Sequence, residues 1–278
     1  MLSAAAMLSA AAIGNMIIAP PQVRPLGPDE AEVYILAGQS NMSGRGQTGD
    51  LSPEEREPAT SVLVYGNNGR LAVAREPLDS PLEQIDTVSS DQRAGVGPGL
   101  FFATAMRPST RRKIVLVPCA KGGSSIARWK PGGGRDTLYG SCLARAREVG
   151  GTVRGVLWYQ GESDAESDVR ASQWAESFKA IVASLRQDLS NPTLPVVFAQ
   201  IAASPDVGDE PVKFPAWHTV QQAQAVIALR CTAMVSTSDL ERLPDRLHLT
   251  TAAQREVGRR MAHTMRGLFQ DRCAKDGK

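Results

Sequence analysis

The chain has 278 residues, with 31 basic and 29 acidic side chains and a formal charge of +2. That near-neutral balance lacks the basic footprint of a nucleic-acid binder. The length accommodates one large α/β domain or two small ones.

Residues 1–30 open with an apolar, small-residue-rich stretch that carries no charge before Arg24, followed by a Pro-rich linker. A secretory signal ordinarily has a basic first region, which is missing here. Gly14 and Asn15 interrupt the apolar run and leave it marginal as a membrane span. A signal or export segment and an extension of another kind both fit, so the expected location is secreted or cell wall in the first case and cytoplasmic in the second. No other stretch could span a bilayer, and no membrane partner is expected.

Short Val- and Ile-rich runs then recur at Glu32–Ala37, Val62–Tyr65, Ile114–Pro118, Val153–Tyr159, Val196–Ile201 and Ala233–Thr237. Several are continuous rather than alternating, which suits strands buried on both faces of a parallel sheet. Helical periodicity lies between them. Trp174, Phe178, Ile181, Val182 and Leu185 form one stripe within 170–190, and Ala253, Val257, Met261, Met265 and Leu268 form another within 251–268, where Thr250 or Thr251 is the candidate cap. Weaker helical patterns cover 137–149 and 215–229. The basic cluster 107–113 reads as a solvated loop between a helix and a strand, and 76–99 as a long irregular segment at a pocket rim. Strand and helix alternate without a repeat or an internal linker. The expectation is one α/β domain over 31–272, with 273–278 as a tail.

The four cysteines, Cys119, Cys142, Cys231 and Cys273, have no metal-like spacing. They permit two disulfides without requiring any. Cys119 and Cys231 flank apolar runs, where buried free thiols are expected. The three histidines show no zinc spacing either, and neither a metal nor another cofactor is expected.

In open parallel sheets, ligands bind beyond the carboxyl ends of the strands. Gly38-Gln39-Ser40-Asn41 follows the first run, Lys121-Gly122-Gly123-Ser124 the third, Gln160-Gly161-Glu162 the fourth, and Asp245-Arg246-Leu247-His248 the last. Ser40 alone reads equally as a helix N-cap. Together the residues are the parts of acyl transfer. A serine hydroxyl needs a histidine base, the histidine needs an orienting carboxylate, and the oxyanion needs N–H donors from glycine backbone or an amide side chain. His218 and His263 lie in helical stretches and read as structural or surface residues. Gly44-x-Gly46-x-x-Gly49 matches a dinucleotide fingerprint only as a string, because it starts six residues beyond Gly38, Pro53 soon follows, and no acidic residue ends the next apolar run. Asn41-Met42-Ser43 is a glycosylation sequon expected to stay unmodified beside Ser40. Met42, two residues after Ser40, disfavours a G-x-S-x-G elbow.

The blocks "GQSNMSGRG", "PCAKGGSSIARW", "WYQGESDA" and "DRLHLTTAAQ" resemble those of the SGNH (GDSL-like) hydrolase superfamily, and within it the sialate O-acetylesterase-like domain of the plant family 6 carbohydrate esterase branch. The resemblance covers about residues 32–270. It implies a three-layer α/β/α sandwich with a flavodoxin-like five-stranded parallel sheet, so that one of the six runs lies outside that count. It implies Ser40 as nucleophile, His248 as base and Asp245 as its orienting acid. The oxyanion hole falls to the Ser40 N–H, to Gly123 in preference to Gly122, and to Gln160. Gln39, Asn41, Gly122, Arg128 and Trp129 are candidate substrate contacts. The implied activity is hydrolysis of O-acetyl esters of carbohydrates such as acetylated xylan. The alternatives are an esterase or lipase acting on other small acyl esters, and an inactive carbohydrate-binding protein.

Overall fold

A computed structural model describes residues 24–79, 81–206, 212–271 and 273. The apolar leader lies outside them. The strands are β1 (Ala31–Gly38), β2 (Ala59–Tyr65), β3 (Leu71–Ala74), β4 (Lys113–Pro118), β5 (Thr152–Tyr159), β6 (Val196–Ala199) and β7 (Thr232–Val235). The helices are α1 (Ser40–Ser43), α2 (Pro53–Arg56), α3 (Gly99–Met106), α4 (Leu138–Glu148), α5 (Asp168–Asp188), α6 (Trp217–Ala225) and α7 (Thr251–Asp271).

One seven-stranded sheet runs β3-β2-β4-β1-β5-β6-β7. All pairings are parallel except β2 with β3, which is an antiparallel hairpin. The fold is α/β, and the sheet is larger than the five strands implied by the resemblance. All six apolar runs are strands of this sheet, and β3 is a seventh at its edge.

Helices cover both faces. Met265 of α7 fills the space beside Gly155 on β5, whereas the Trp158 ring, three residues on, packs 5.8 Å from Phe178 of α5. Alternation along a strand puts these contacts on opposite faces. Phe178 also has Trp174 and Phe198 at 5.1 and 5.0 Å. Aromatic pairs of this kind add roughly 0.5–1.5 kcal/mol each beyond simple burial, so the period-3.6 stripe of α5 carries much of that layer. Thr250 caps α7, its hydroxyl accepting from the Ala253 N–H at 3.2 Å.

The chain leaves β1 and returns through β2 and β4 on one side, then through β5, β6 and β7 on the other. The carboxyl end of β1 is therefore the switch point, where the exit loops of β4 and β5 diverge and leave a crevice.

The free-thiol expectation is corrected. Cys119, just after β4, is disulfide-bonded to Cys142 on α4, and Cys231, just before β7, to Cys273 after α7. Their Cα atoms lie 5.3 and 5.5 Å apart, within the reach of a disulfide. Cys119–Cys142 closes a separation of 23 residues. Opening it should cost about 3 kcal/mol on the loop-entropy scale. Chemical denaturation of a Cys119→Ser/Cys142→Ser double variant against the parent measures this. A midpoint unchanged in the double variant would show that the bridge adds nothing to stability.

Candidate active site

The site begins where β1 stops. Gly38 has φ +131°, and a Cβ there would lie 2.1 Å from the Tyr159 carbonyl oxygen on β5. Only glycine permits that approach. Next, the Gln39 N–H donates to the same carbonyl at 2.8 Å, and the chain turns directly into α1. Gln39 is the residue flanking that helix, so Ser40 is not its cap; it is the first helical residue, with its side chain free for other work.

Ser40 meets His248 across 208 residues. The Oγ lies 2.9 Å from His248 Nε2. On the far side of the ring, Nδ1 lies 2.6 Å from Asp245 Oδ2. The other carboxylate oxygen of Asp245 accepts the Leu247 and His248 N–H groups at 3.0 and 2.9 Å. Partial burial pushes the Asp245 carboxyl up, but these N–H donors and the ring outweigh it and hold the acid below its ordinary range. It is thus anionic where a histidine base would work. The hydroxyl, the ring and the carboxylate form one unbroken line suited to moving a proton off Ser40.

Donors for an oxyanion separate clearly. Gly123 has φ +68°, an exposed position and an N–H without an acceptor among the described residues. The neighbouring Gly122 N–H is taken by Asp91 Oδ2 at 2.9 Å. The Ser40 N–H, at the start of α1, also has no acceptor among the described residues. Gln160 departs from the sequence expectation. It is fully buried, and its Nε2 faces three acceptors: Asp164 Oδ2, the Ser124 carbonyl at 3.1 Å and Gln39 Oε1 at 3.3 Å. Its oxygen accepts from Trp174 Nε1 at 2.8 Å. Two N–H bonds already shared among three acceptors leave none for a ligand.

Ser40, His248 and Asp245 lie on a polar pocket of about 680 Å³ together with Gln39, Gly123, Arg45 and Arg93. Of the candidate contacts, Gln39 lines it. The Gln39 oxygen is held at 3.3 Å by the Gly161 and Ser163 N–H groups, so its NH₂ is the end left for a ligand. Asn41 is buried, with both ends of its amide occupied, which also leaves the sequon no accessible nitrogen. Trp129 is core, edge-on to Trp158 at 5.2 Å, with its N–H on Ser124 Oγ. Arg128 is exposed but outside the pocket wall, and neither Gly122 nor Asn41 lines the pocket. Burial accounts for Asn41 and Trp129, whose side chains pack inside the fold rather than on the wall.

Residues 30–267 match the family described as carbohydrate esterase, sialic acid-specific acetylesterase. The chain belongs to this family. A probable carbohydrate esterase of Arabidopsis thaliana is 33% identical over 267 residues, covering 90% of this chain and 95% of that protein. The X-ray structure of an Arabidopsis thaliana protein superposes with a TM-score of 0.74 at 33% identity, over 86% of this chain and 99% of the other. The crystal structure of NanS shares the fold at TM-score 0.66 and 17% identity, over 89% and 100% of the two chains. The present chain is accordingly a carboxylic ester hydrolase of the carbohydrate acetylesterase family, with the SGNH-type fold.

Several groups of this esterase's site had no sequence signal of their own. Asp91, in the irregular segment, gathers Ser43 Oγ, Arg45 Nη2 and the Gly122 N–H at 2.8–2.9 Å. It thereby ties the glycine loop to the segment that carries Ser40. Burial works to raise the Asp91 pKa, but Arg45 and the other donors prevail and hold it below the ordinary range. Asp164 accepts the Ile126 N–H at 2.9 Å and Gln160 Nε2, bracing the glycine loop from the other side. The available clue was two acids, Glu162 and Asp164, directly after a buried strand, where charge is costly unless it is partnered. No group of three or more His, Cys, Asp or Glu among the described residues is disposed to hold a metal ion, and none of the described helices is long and apolar enough to cross a membrane.

Two predictions follow from these contacts. If Gln160 is a brace, Gln160→Ala leaves buried partners unsatisfied at about 1–3 kcal/mol. The melting temperature should fall, while kcat of the folded enzyme drops less than about tenfold; a loss of roughly 10² to 10³ without loss of stability would restore it as an oxyanion donor. The second concerns pH. Burial pushes Glu76 up to about 8, Asp79 and Glu162 to about 7, and Asp164 to about 6. These acids stay protonated in the fold over a range where the unfolded chain has released its protons, so raising the pH through that window favours unfolding. Thermal stability should therefore decline from about pH 5 to about pH 8. Below that window, protonation of Asp91 and Asp245, held low in the fold, should remove stability again. A melting curve that rises steadily through the neutral range would contradict this.

Proposed function

We propose that this esterase removes O-acetyl groups from carbohydrates such as acetylated xylan, through an acetyl-enzyme on Ser40. The observation that carries the reading is the line Asp245–His248–Ser40, with contacts of 2.6 and 2.9 Å, on the wall of an open polar pocket.

In this mechanism Ser40 Oγ attacks the acetyl carbonyl carbon while His248 Nε2 takes its proton. Asp245 holds the ring by Nδ1–H and stabilises the imidazolium that forms. The Ser40 and Gly123 N–H groups receive the negative charge on the carbonyl oxygen. Each important donor of this kind is worth roughly 3–4 kcal/mol in the transition state. The Gln39 NH₂ is the remaining amide at the pocket wall, available to substrate oxygen. Collapse of the tetrahedral species breaks the ester C–O bond, and the imidazolium protonates the departing sugar oxygen. Water then enters by the same route, with His248 again as base, and releases acetate.

The pocket lining favours a short acyl group on a polar alcohol. Gln39, Arg45, Arg93, Ser163, Glu166, Asp206, Lys213 and Arg246 outnumber the apolar Pro205, Phe214, Pro244 and Leu247. Hydroxyl-rich substrates find donors and acceptors there, whereas a long acyl chain finds no continuous apolar wall.

The test is acetate release from acetylated xylan, pectin, sialic acid and aryl acetates, with mass mapping of a fluorophosphonate label. Ser40→Ala and His248→Ala should each lower kcat by about 10⁴-fold or more, and Asp245→Asn by less than His248→Ala. Turnover should rise with pH through a single protonation step, because the base acts when neutral. Label on another serine, or a Ser40→Ala variant that still turns over, would sink the assignment. Preference for a long-chain ester over every acetate would sink the substrate class.

A further inference from the structure

Asn41 is covalently next to the proposed nucleophile, and its side chain grips both neighbours of the proposed base. Its Nδ2 donates to the Leu247 carbonyl at 3.2 Å, and its Oδ1 accepts the Leu249 N–H at 3.0 Å. Leu247 and Leu249 flank His248. The second Nδ2 hydrogen goes to Glu162 Oε1 at 2.7 Å, the shortest of the three contacts. The Asn41 main-chain carbonyl is held in turn by Gln254 Nε2 of α7 at 3.1 Å.

We propose that Asn41 is the positioning residue that sets the Ser40–His248 spacing, with Glu162 as the group that fixes which end of its amide faces which main-chain partner. The inference rests on the reading of Ser40 as nucleophile and His248 as base. An asparagine amide is nearly symmetric in shape, so a flip exchanges donor and acceptor. The carboxyl oxygen of Glu162 accepts a hydrogen bond and so selects one orientation. In that orientation, the acceptor end must meet the Leu249 N–H and the donor end the Leu247 carbonyl. Burial pushes the Glu162 carboxyl up to about 7, but Oε1 keeps its acceptor role in either state. A proton would reside on Oε2, which has no partner among the described residues.

A base displaced by about 1 Å from a serine hydroxyl can lose roughly 10² in rate. The expectation is therefore a loss in kcat with KM little changed. The experiment compares 4-nitrophenyl acetate turnover and fluorophosphonate labelling rates of the full chain, well below each protein's melting temperature. Asn41→Ala should lower kcat and the labelling rate about 10²-fold, with KM within about threefold. Glu162→Leu, which has no acceptor, should lose about tenfold, and Glu162→Gln, whose amide oxygen can still accept, should stay within about threefold. Because both act on one alignment, the Asn41→Ala/Glu162→Leu double variant should be no slower than Asn41→Ala alone. A merely structural pair would lower the melting temperature and leave kcat of the folded fraction intact. The proposal is overturned if folded Asn41→Ala keeps kcat within about threefold of the parent, or if the two losses multiply. Should Asn41→Ala fail to fold, equal kcat in Glu162→Leu and Glu162→Gln overturns it. Failure of the serine mechanism itself reads differently: Ser40→Ala then stays active, and the inference falls with it.

Discussion

The close approach of Gly38 to Tyr159 is the contact on which the site depends. It ends β1 without a side chain, so the next residue can bond the neighbouring strand and the chain can turn at once. The Gly38 carbonyl then accepts the Lys121 N–H at 3.0 Å and Ser124 Oγ at 3.3 Å. The exit of β1 is thereby bonded to the exit loop of β4 on one side and to β5 on the other. Ser40 and the glycine loop are thus held by the same two peptide units. A residue with a Cβ at 38 would push β5 away and loosen both together, which couples the stability of the sheet to the geometry of the chemistry.

Around that junction the polar groups divide into those that face the pocket and those that hold them. Asp91, Gln160, Asp164 and Asn41 belong to the second kind, with side-chain atoms bonded to backbone groups of loops that carry pocket residues. Loops of this length have little apolar surface to fix them, and directed hydrogen bonds supply the missing order. The cost is burial of ionisable groups: Asp91 offsets it by pairing with Arg45, whereas burial pushes the carboxyls of Glu162 and Asp164 above their ordinary range. A rigid polar shell behind a hydrolytic pocket follows the general need for preorganised donors.

How much of this was legible varies with the range of the interaction. The six parallel strands could be read because continuous Val and Ile runs report burial on both faces. Strand β3 escaped because it has four residues, two of them exposed, at an antiparallel edge. Asp-x-x-His was readable as a local pattern, and Ser40 by its place at a strand end. Which glutamine is pinned was not readable. Gln39 and Gln160 each follow a strand, and residue type suits either for a donor; only the three acceptors around Gln160 Nε2 tell them apart. Gly122 is likewise taken out of play by Asp91, which lies 31 residues away in the chain. The disulfides depended on α4 lying against the end of β4, and α7 against the start of β7, which spacing alone does not encode.

Seen as parts, the proposed triad has two halves of unequal origin. The Asp245–His248 half is local. Asp245 accepts N–H groups two and three residues ahead, Arg246 takes φ +57°, and the turn closes through the Leu243 N–H on the His248 carbonyl at 2.7 Å. A non-glycine residue held at positive φ stores strain that its surroundings must offset. Arg242 contributes by bonding the carbonyls of Ala203 and Arg246 at 2.8 and 2.6 Å. Acid and base therefore move as one piece, and this explains how Asp245 can keep its orientation with 48% of its side chain exposed, against 18% for His248. Ser40 and α1 form the other piece, fixed to the sheet. These two pieces meet at long range, through the Ser40–His248 contact and through the hydrogen bonds that Asn41, one residue along, makes on either side of His248.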